Sequence, residues 1–386
     1  MRFRLALTVI VIYTNIGHAS CQNYASCVHD NRKTLLCECK YFSSGWVFVN
    51  CTKRGLTNFP AGIPENATHL YLDNNTITDI GSDALLRLNR LQEISLNFNK
   101  LTRLPMFPKH IHVISAEFNL LQSIDGAFAN LTQLDRIYLK GNQVKKLRKE
   151  TFRDAYFRII NMHKNPLEYI EPYTFEDLYH LNEILLGDTA IRELKENAFF
   201  MSSHAALTIV VSGKFLRNIS TGTFRNIPSG SKIYVWWSTL TTIPARVING
   251  GYLDKLTFEH NVIQDVHPDA FIEMEGVDEL CLKDNRLTVF PPALYNLRIR
   301  RTMYLQSNSI FSLGSGPIVK YSPQTIVMHD NRIESISRDN FRGLKNLEMI
   351  MLSRNKISYI EDGAFYGTDL RVMLVIHILY LINYIK

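Results

Sequence analysis

The sequence predicts an α/β solenoid, bent into a horseshoe, with a concave parallel β-sheet and a disulfide cap at its N-terminal end. Two observations carry that prediction. Between residues 70 and 360 one frame, apolar-x-apolar-x-x-Asn-x-apolar-x-x-apolar, recurs thirteen times, with its Asn slot at 75, 99, 119, 142, 165, 189, 214, 238, 261, 285, 308, 331 and 355. All fifty-two apolar slots hold Leu, Ile, Val, Met, Phe or Ala. In a chain of 46% hydrophobic residues this arises by chance about once in 10¹⁷, so the periodicity outweighs any shorter motif. The second observation is that five of the six cysteines precede residue 52, where the first repeat of a stack needs a cover.

In chain order, Arg2 and Arg4 precede an apolar run over 5–13, and Gly17, His18 and Ala19 offer small residues for cleavage. Residues 1–19 thus read as a secretory signal peptide. Its removal lowers the formal charge from +7 by the two arginines, leaving an excess too diluted over a long surface to act as a nucleic-acid-binding field. Sequons at Asn50, Asn66, Asn74, Asn130 and Asn218 agree with export and mark expected glycosylation sites. Residues 20–64 hold Cys21, Cys27, Cys37, Cys39 and Cys51, a density suited to a stapled cap in an oxidising compartment. Zinc is the weaker reading, because the spacing lacks paired C-x-x-C knuckles.

The array occupies 65–375, as thirteen repeats and a partial one. Each repeat opens with alternation, as in Leu70-Tyr71-Leu72 or Ile137-Tyr138-Leu139, which makes a short strand with Tyr71 and Tyr138 turned to solvent. Stacked at roughly 4.8 Å, the thirteen strands form a concave sheet on the order of 60 Å long. Asn suits its slot because the amide both donates and accepts where the strand turns. Thr189, Lys214 and Ser238 replace it in three consecutive repeats, so the middle of the arc is expected to be irregular. Ten residues beyond the slot a Phe recurs at 152, 175, 199, 224, 271, 341 and 365, with Phe128 one position early. These rings are expected to fill the convex side of the core.

Repeats of this length and frame are identified as leucine-rich repeats. Cys37-Glu38-Cys39, Cys51 and the run Gly55-Leu56-Thr57-Asn58-Phe59-Pro60 resemble the N-terminal cap of animal extracellular leucine-rich-repeat proteins. The resemblance implies bridges Cys27–Cys39 and Cys37–Cys51; the second would stabilise by about 3 kcal/mol. Cys21 and Cys281 are left over. Cys281 lies between Leu280 and Leu282, and strand parity predicts an exposed thiol on the concave side.

Residues 376–386 form an apolar C-terminal tail. The apolar run over 372–385 carries His377 and Asn383 and falls short of the roughly 17–25 residues that cross a bilayer, which weakens a membrane anchor. A chain stopping within a repeat is the favoured expectation. A glycolipid-anchor signal lacks its polar spacer.

Catalytic signatures such as G-x-S-x-G, H-E-x-x-H and the phosphate-binding glycine loops do not occur. No catalytic, cofactor or metal residue is assigned; His110 and His112 lack a nearby carboxylate or cysteine to complete a metal site. Binding chemistry is richer. Parity places Tyr138, Lys232, Tyr234, Trp236, Lys255 and Tyr304 on the concave face as ligand-binding candidates, aromatic anchors rimmed by charge. Lys140, Glu183, Glu259, Lys283 and Gln306 are their neighbours. Lys145, Lys146, Arg148 and Lys149 form a basic cluster suited to a glycosaminoglycan. Arg298, Arg300 and Arg301 form a weaker patch, with Arg300 partly consumed because it stands where the repeat is usually apolar.

The leading expectation is a secreted or cell-surface protein that binds an extracellular protein through its concave face, in adhesion, matrix organisation or receptor signalling. The array resembles Slit-like, Toll-like and chaoptin-like ectodomains and small leucine-rich proteoglycans. Two alternatives are a non-catalytic subunit of a secreted enzyme and the ectodomain of a membrane receptor cut short.

Overall fold

A computed structural model of the chain describes residues 25–29, 35–153 and 155–374. The expected signal peptide and the tail at 376–386 lie outside the described residues, as do Cys21 and the side chain of Cys27. The array is a single curved stack. Strand Ala25–His29 pairs antiparallel with Leu35–Tyr41, and that strand pairs antiparallel with Val47–Asn50. Val47–Asn50 then pairs in parallel with His69–Tyr71, so the cap feeds directly into the repeat sheet. From there each repeat adds one parallel strand, through Val372–Leu374. Cys37 and Cys51 are joined by a disulfide, and Cys39 is in a disulfide as well. All three cysteines are inaccessible to solvent, which places the staple inside the first turn of the core.

Why these segments form strands follows from the frame. The two apolar residues that bracket each strand centre point into the stack while the residue between them points out. Leu70 and Leu72 have no exposed surface, and Tyr71 between them is half-buried on the concave side. Every apolar slot is buried except Leu104 and Ile360, which are partly buried against the same continuous core. The convex rings meet as expected. Phe128, Phe152, Phe175, Phe199 and Phe224 stack in sequence, with centroids between 5.1 and 6.3 Å apart, and Phe341 stacks on Phe365 at 5.3 Å. Elsewhere the convex limbs are turns and two-residue parallel strands, with a single 3₁₀ turn at Pro292–Leu294 among the described residues.

The Asn slot links consecutive repeats. Asn99 donates through Nδ2 to the Leu72 and Leu96 carbonyls, at 2.9 and 3.1 Å, and accepts at Oδ1 from the Ile77 amide at 3.0 Å. The same set recurs at Asn119, Asn285 and Asn331. One side chain therefore satisfies backbone groups of two turns that would otherwise be buried unpaired.

In the middle of the arc that ladder gives way. The Thr189 hydroxyl donates to the Ser212 carbonyl at 3.1 Å and the Ser238 hydroxyl to the Trp236 carbonyl at 3.0 Å, while Lys214 is exposed. Extended backbone pairing takes over there. Convex strands Phe199–Phe200 and Phe224–Ile227 pair in parallel, and the latter pairs with the start of Ile248–Thr257, a ten-residue strand that runs from the convex to the concave side without a loop. Glu273–Cys281 repeats the arrangement beside it. Gly250 makes this passage possible: a Cβ there would lie 2.6 Å from the Ile227 carbonyl oxygen.

Candidate functional site

The concave sheet displays three rows of side chains, set by strand register. The central row runs Tyr138, Asn161, Leu185, Val210, Tyr234, Thr257, Cys281, Tyr304. Tyr138, Tyr234 and Tyr304 thus share one line; at roughly 4.8 Å per strand they stand about 19 and 14 Å apart. All three are half-buried, and burial pushes the Tyr138 and Tyr234 hydroxyls above their usual range. Between the first two the line passes Asn161 and then the apolar Leu185 and Val210.

Lys232, Tyr234, Trp236 and Lys255 form one cluster. The Tyr234 and Trp236 rings lie 5.1 Å apart, and Lys232 and Lys255 are register neighbours on adjacent strands. Lys232 is exposed, whereas Lys255 pairs with Glu279 at 3.1 Å. Burial opposes the Lys255 charge, but the Glu279 contact outweighs it and raises its pKa. The neighbouring pair Lys283–Glu259, at 2.9 Å, continues the network. The N-terminal third of the face is acidic: Asp73, Glu93 and Glu117 are partly buried there, and that burial raises all three carboxyls above the usual range.

Two expectations are corrected. Cys281 does lie on the concave side, but Glu259 and Lys283 close over it and it is buried. Burial pushes its thiol up to about 12, and its Sγ lies 3.5 Å from Glu259 Oε2, so it is no exposed reactive thiolate. Arg300 is not consumed by the core. A register shift pairs Val277 with Ile299 and Glu279 with Thr302, so Ile299 fills the apolar slot and Arg300 turns outward to Asp278 at 2.7 Å.

In the basic cluster three of the four side chains are paired: Lys145 with Glu168, Arg148 with Asp125 and Lys149 with Glu176, at 3.2 to 3.4 Å. Lys146 is exposed in a two-residue convex strand. The sequon residues Asn50, Asn66, Asn74, Asn130 and Asn218 are all exposed, and Asn50 stands in register beside Tyr71 at the capped end of the central row. Among the described residues, no three His, Cys, Asp or Glu side chains are grouped closely enough to hold a metal ion.

Parity missed one set of surface residues. The residue before the Asn slot has positive φ in every repeat but the seventh, where Gly213 stands. Bulky residues occupy this corner at Phe98, stacked on Phe118 at 4.7 Å, and at Trp237, stacked on His260 at 4.0 Å. Trp237 is 63% exposed, more than any of the concave aromatics. The signal was present in the sequence as the position one before each slot.

Two family models match the chain: "Leucine rich repeat" over residues 324–375, and "BspA type Leucine rich repeat region (6 copies)" over 64–158, 119–227 and 145–278. The chain is 24% identical to mouse Toll-like receptor 7 over 339 residues, spanning 86% of this chain and 29% of that protein. It is 26% identical to mouse podocan over 331 residues, spanning 83% and 46%. It therefore spans less than half the length of either relative. Among solved structures it is similar to a chain of the Drosophila Toll–Spätzle complex, with a TM-score of 0.58, 17% identity, and coverage of 91% of this chain and 54% of that one. A likeness at that identity speaks to the fold alone.

Proposed function

This chain belongs to the leucine-rich-repeat family as an extracellular member with a disulfide cap, and from that premise we propose that it binds an extracellular protein ligand through its concave face. The observation that carries the reading is the line of Tyr138, Tyr234 and Tyr304 flanked by Trp236, Lys232 and Lys255, aromatic surface with polar tips beside exposed and paired charge. Such surfaces bury large area at low entropic cost when a partner arrives. The Toll–Spätzle complex is a protein assembly built around the same fold. Adhesion, matrix organisation or receptor signalling are the roles such binding would serve, and the five exposed sequon asparagines are the proposed glycan attachment points.

The test is a screen of the secreted full chain against displayed extracellular proteins, repeated with Tyr234→Ala/Trp236→Ala. Both side chains are outside the core, so the double variant should melt like the parent while losing at least about tenfold in affinity for any ligand found. A ligand bound equally by both forms would move the interface away from this face.

A further inference from the structure

The edge of the solenoid where the chain rises into the concave strands of the last repeats holds a cleft of about 770 Å³. That is within the range of ligand pockets, and the cleft shares no residue with the aromatic line. Its lining is mixed, with Ile299 and Tyr321 among polar side chains, and its charges are divided. Arg298, Arg300 and Lys320 come from the two lining repeats nearer the N-terminus and Glu348 and Asp369 from the two nearer the C-terminus, with Ser322 beside Lys320 and Asn346 beside Glu348 in the same repeats. The outward-turned Arg300 is already engaged by Asp278. Arg298 and Lys320 are exposed and have no ion pair among the described residues, Lys320 lying over the Tyr321 ring at 5.4 Å. Across the cleft Glu348 has only a long contact to Arg371, at 3.9 Å, and Asp369 is exposed and unpaired among the described residues.

Register fixes the separation of the two walls. Thr302 pairs with Thr325, Thr325 with Met349 and Met349 with Val372. Arg298 and Lys320 lead into the first two of these strands and Glu348 and Asp369 into the last two, so the centres of the two charged pairs are two steps apart, roughly 10 Å. An extended polypeptide covers that distance in about three residues. We infer that the cleft binds an extended segment of another polypeptide that carries a carboxylate and, three residues away, an ammonium or guanidinium group. The carboxylate lies against Arg298 and Lys320, and the cation against Glu348 and Asp369. A sulfated polyanion is selected against, because the acidic wall stands about a Debye length from the basic one and repels the continuation of its charge.

The probe is the capped tetrapeptide Asp-Ser-Gly-Lys, titrated into the full chain by NMR or calorimetry. Binding is expected in the millimolar range or tighter, weakening at least about tenfold when the lysine is acetylated or when the chain carries Arg298→Glu/Lys320→Glu. Both substituted residues are exposed, so circular dichroism should show the fold unchanged. Adding Glu348→Lys/Asp369→Lys to that variant should restore binding with the polarity of the preferred peptide reversed. The inference is overturned if no binding is seen at about 10 mM peptide, if the acetylated peptide binds as well, or if a heparin hexasaccharide binds more tightly than the peptide. Because Tyr234 and Trp236 lie outside the cleft, their double variant should bind the tetrapeptide normally, which separates failure here from failure of the concave-face reading.

Discussion

Asn165 has no exposed surface; its Nδ2 donates to the Leu139 and Met162 carbonyls at 2.8 and 3.0 Å and its Oδ1 accepts from the Val144 amide at 3.1 Å. Asn165→Ala leaves those groups buried without partners and should cost about 3 kcal/mol. Lys214 occupies the same slot two repeats on, yet is exposed, and Lys214→Ala should change stability by less than about 0.5 kcal/mol. Denaturant titration of the two variants checks the contrast; equal effects would mean the slot matters by position and not by its hydrogen bonds. His69 gives a pH signature. Packed on Phe48 at 4.0 Å, it has its pKa lowered by burial from 6.5 to about 4. The unfolded chain takes up a proton at this residue through pH 6.5 while the folded chain holds off until about 4. Its stabilising contribution is therefore complete above 6.5 and is lost as pH falls toward 4. Discounted for partial exposure, the loss is about 1–2 kcal/mol. Thermal melts at pH 7.5 and 4.5 should show His69→Phe losing less stability than the parent between the two; an identical loss would assign the pH dependence to other groups.

At the scale of elements, the cap is where a disulfide meets the first strand pair. Reduction of Cys37–Cys51 removes a staple worth about 3 kcal/mol from the strand that seeds the sheet. Because each repeat touches only its neighbours, the damage should stay local. Hydrogen exchange after reduction should accelerate in strands His69–Tyr71 and Glu93–Ser95 and remain slow in Thr325–Val327; uniform acceleration would indicate one cooperative unit. The concave strands and convex Phe stack were legible in the sequence because each depends on a repeating apolar position, and burial enforces that position. The through-running strands Ile248–Thr257 and Glu273–Cys281 were not. The first begins after Ser238, the last of three successive slots without Asn, and the second pairs beside it although its own flanking slots hold Asn261 and Asn285. The missing Asn residues announce a change without stating what backbone pairing replaces the ladder or how far it spreads. The shift at Ile299 escaped for a related reason: one extra residue moves the apolar slot, and a fixed frame counts Arg300 into it.

For the whole molecule, the candidate site was legible as a direction and less so as an environment. Parity placed Tyr138, Tyr234 and Tyr304 on one face, and register aligns them. Parity also put Cys281 there, but exposure depends on how far Glu259 and Lys283 reach, and the pairing of Lys145, Arg148 and Lys149 depends on acids from neighbouring turns. Long side chains from other repeats decide both outcomes. A solenoid thus brings together residues about 23 positions apart, and a linear reading sees only the nearest ones.

The left-handed corner before each Asn slot has an evolutionary implication. In ten of the thirteen repeats it leads directly into the slot Asn, and its side chain projects away from the interior. The occupants range from Asn74 and Ser307 to Lys164, Phe98 and Trp237, and none is Val, Ile or Thr, the types whose branched Cβ is most strained there. The rim can therefore exchange one unbranched side chain for another, repeat by repeat, with little effect on folding, so new ligand preferences could be acquired along it while the interior stays unchanged.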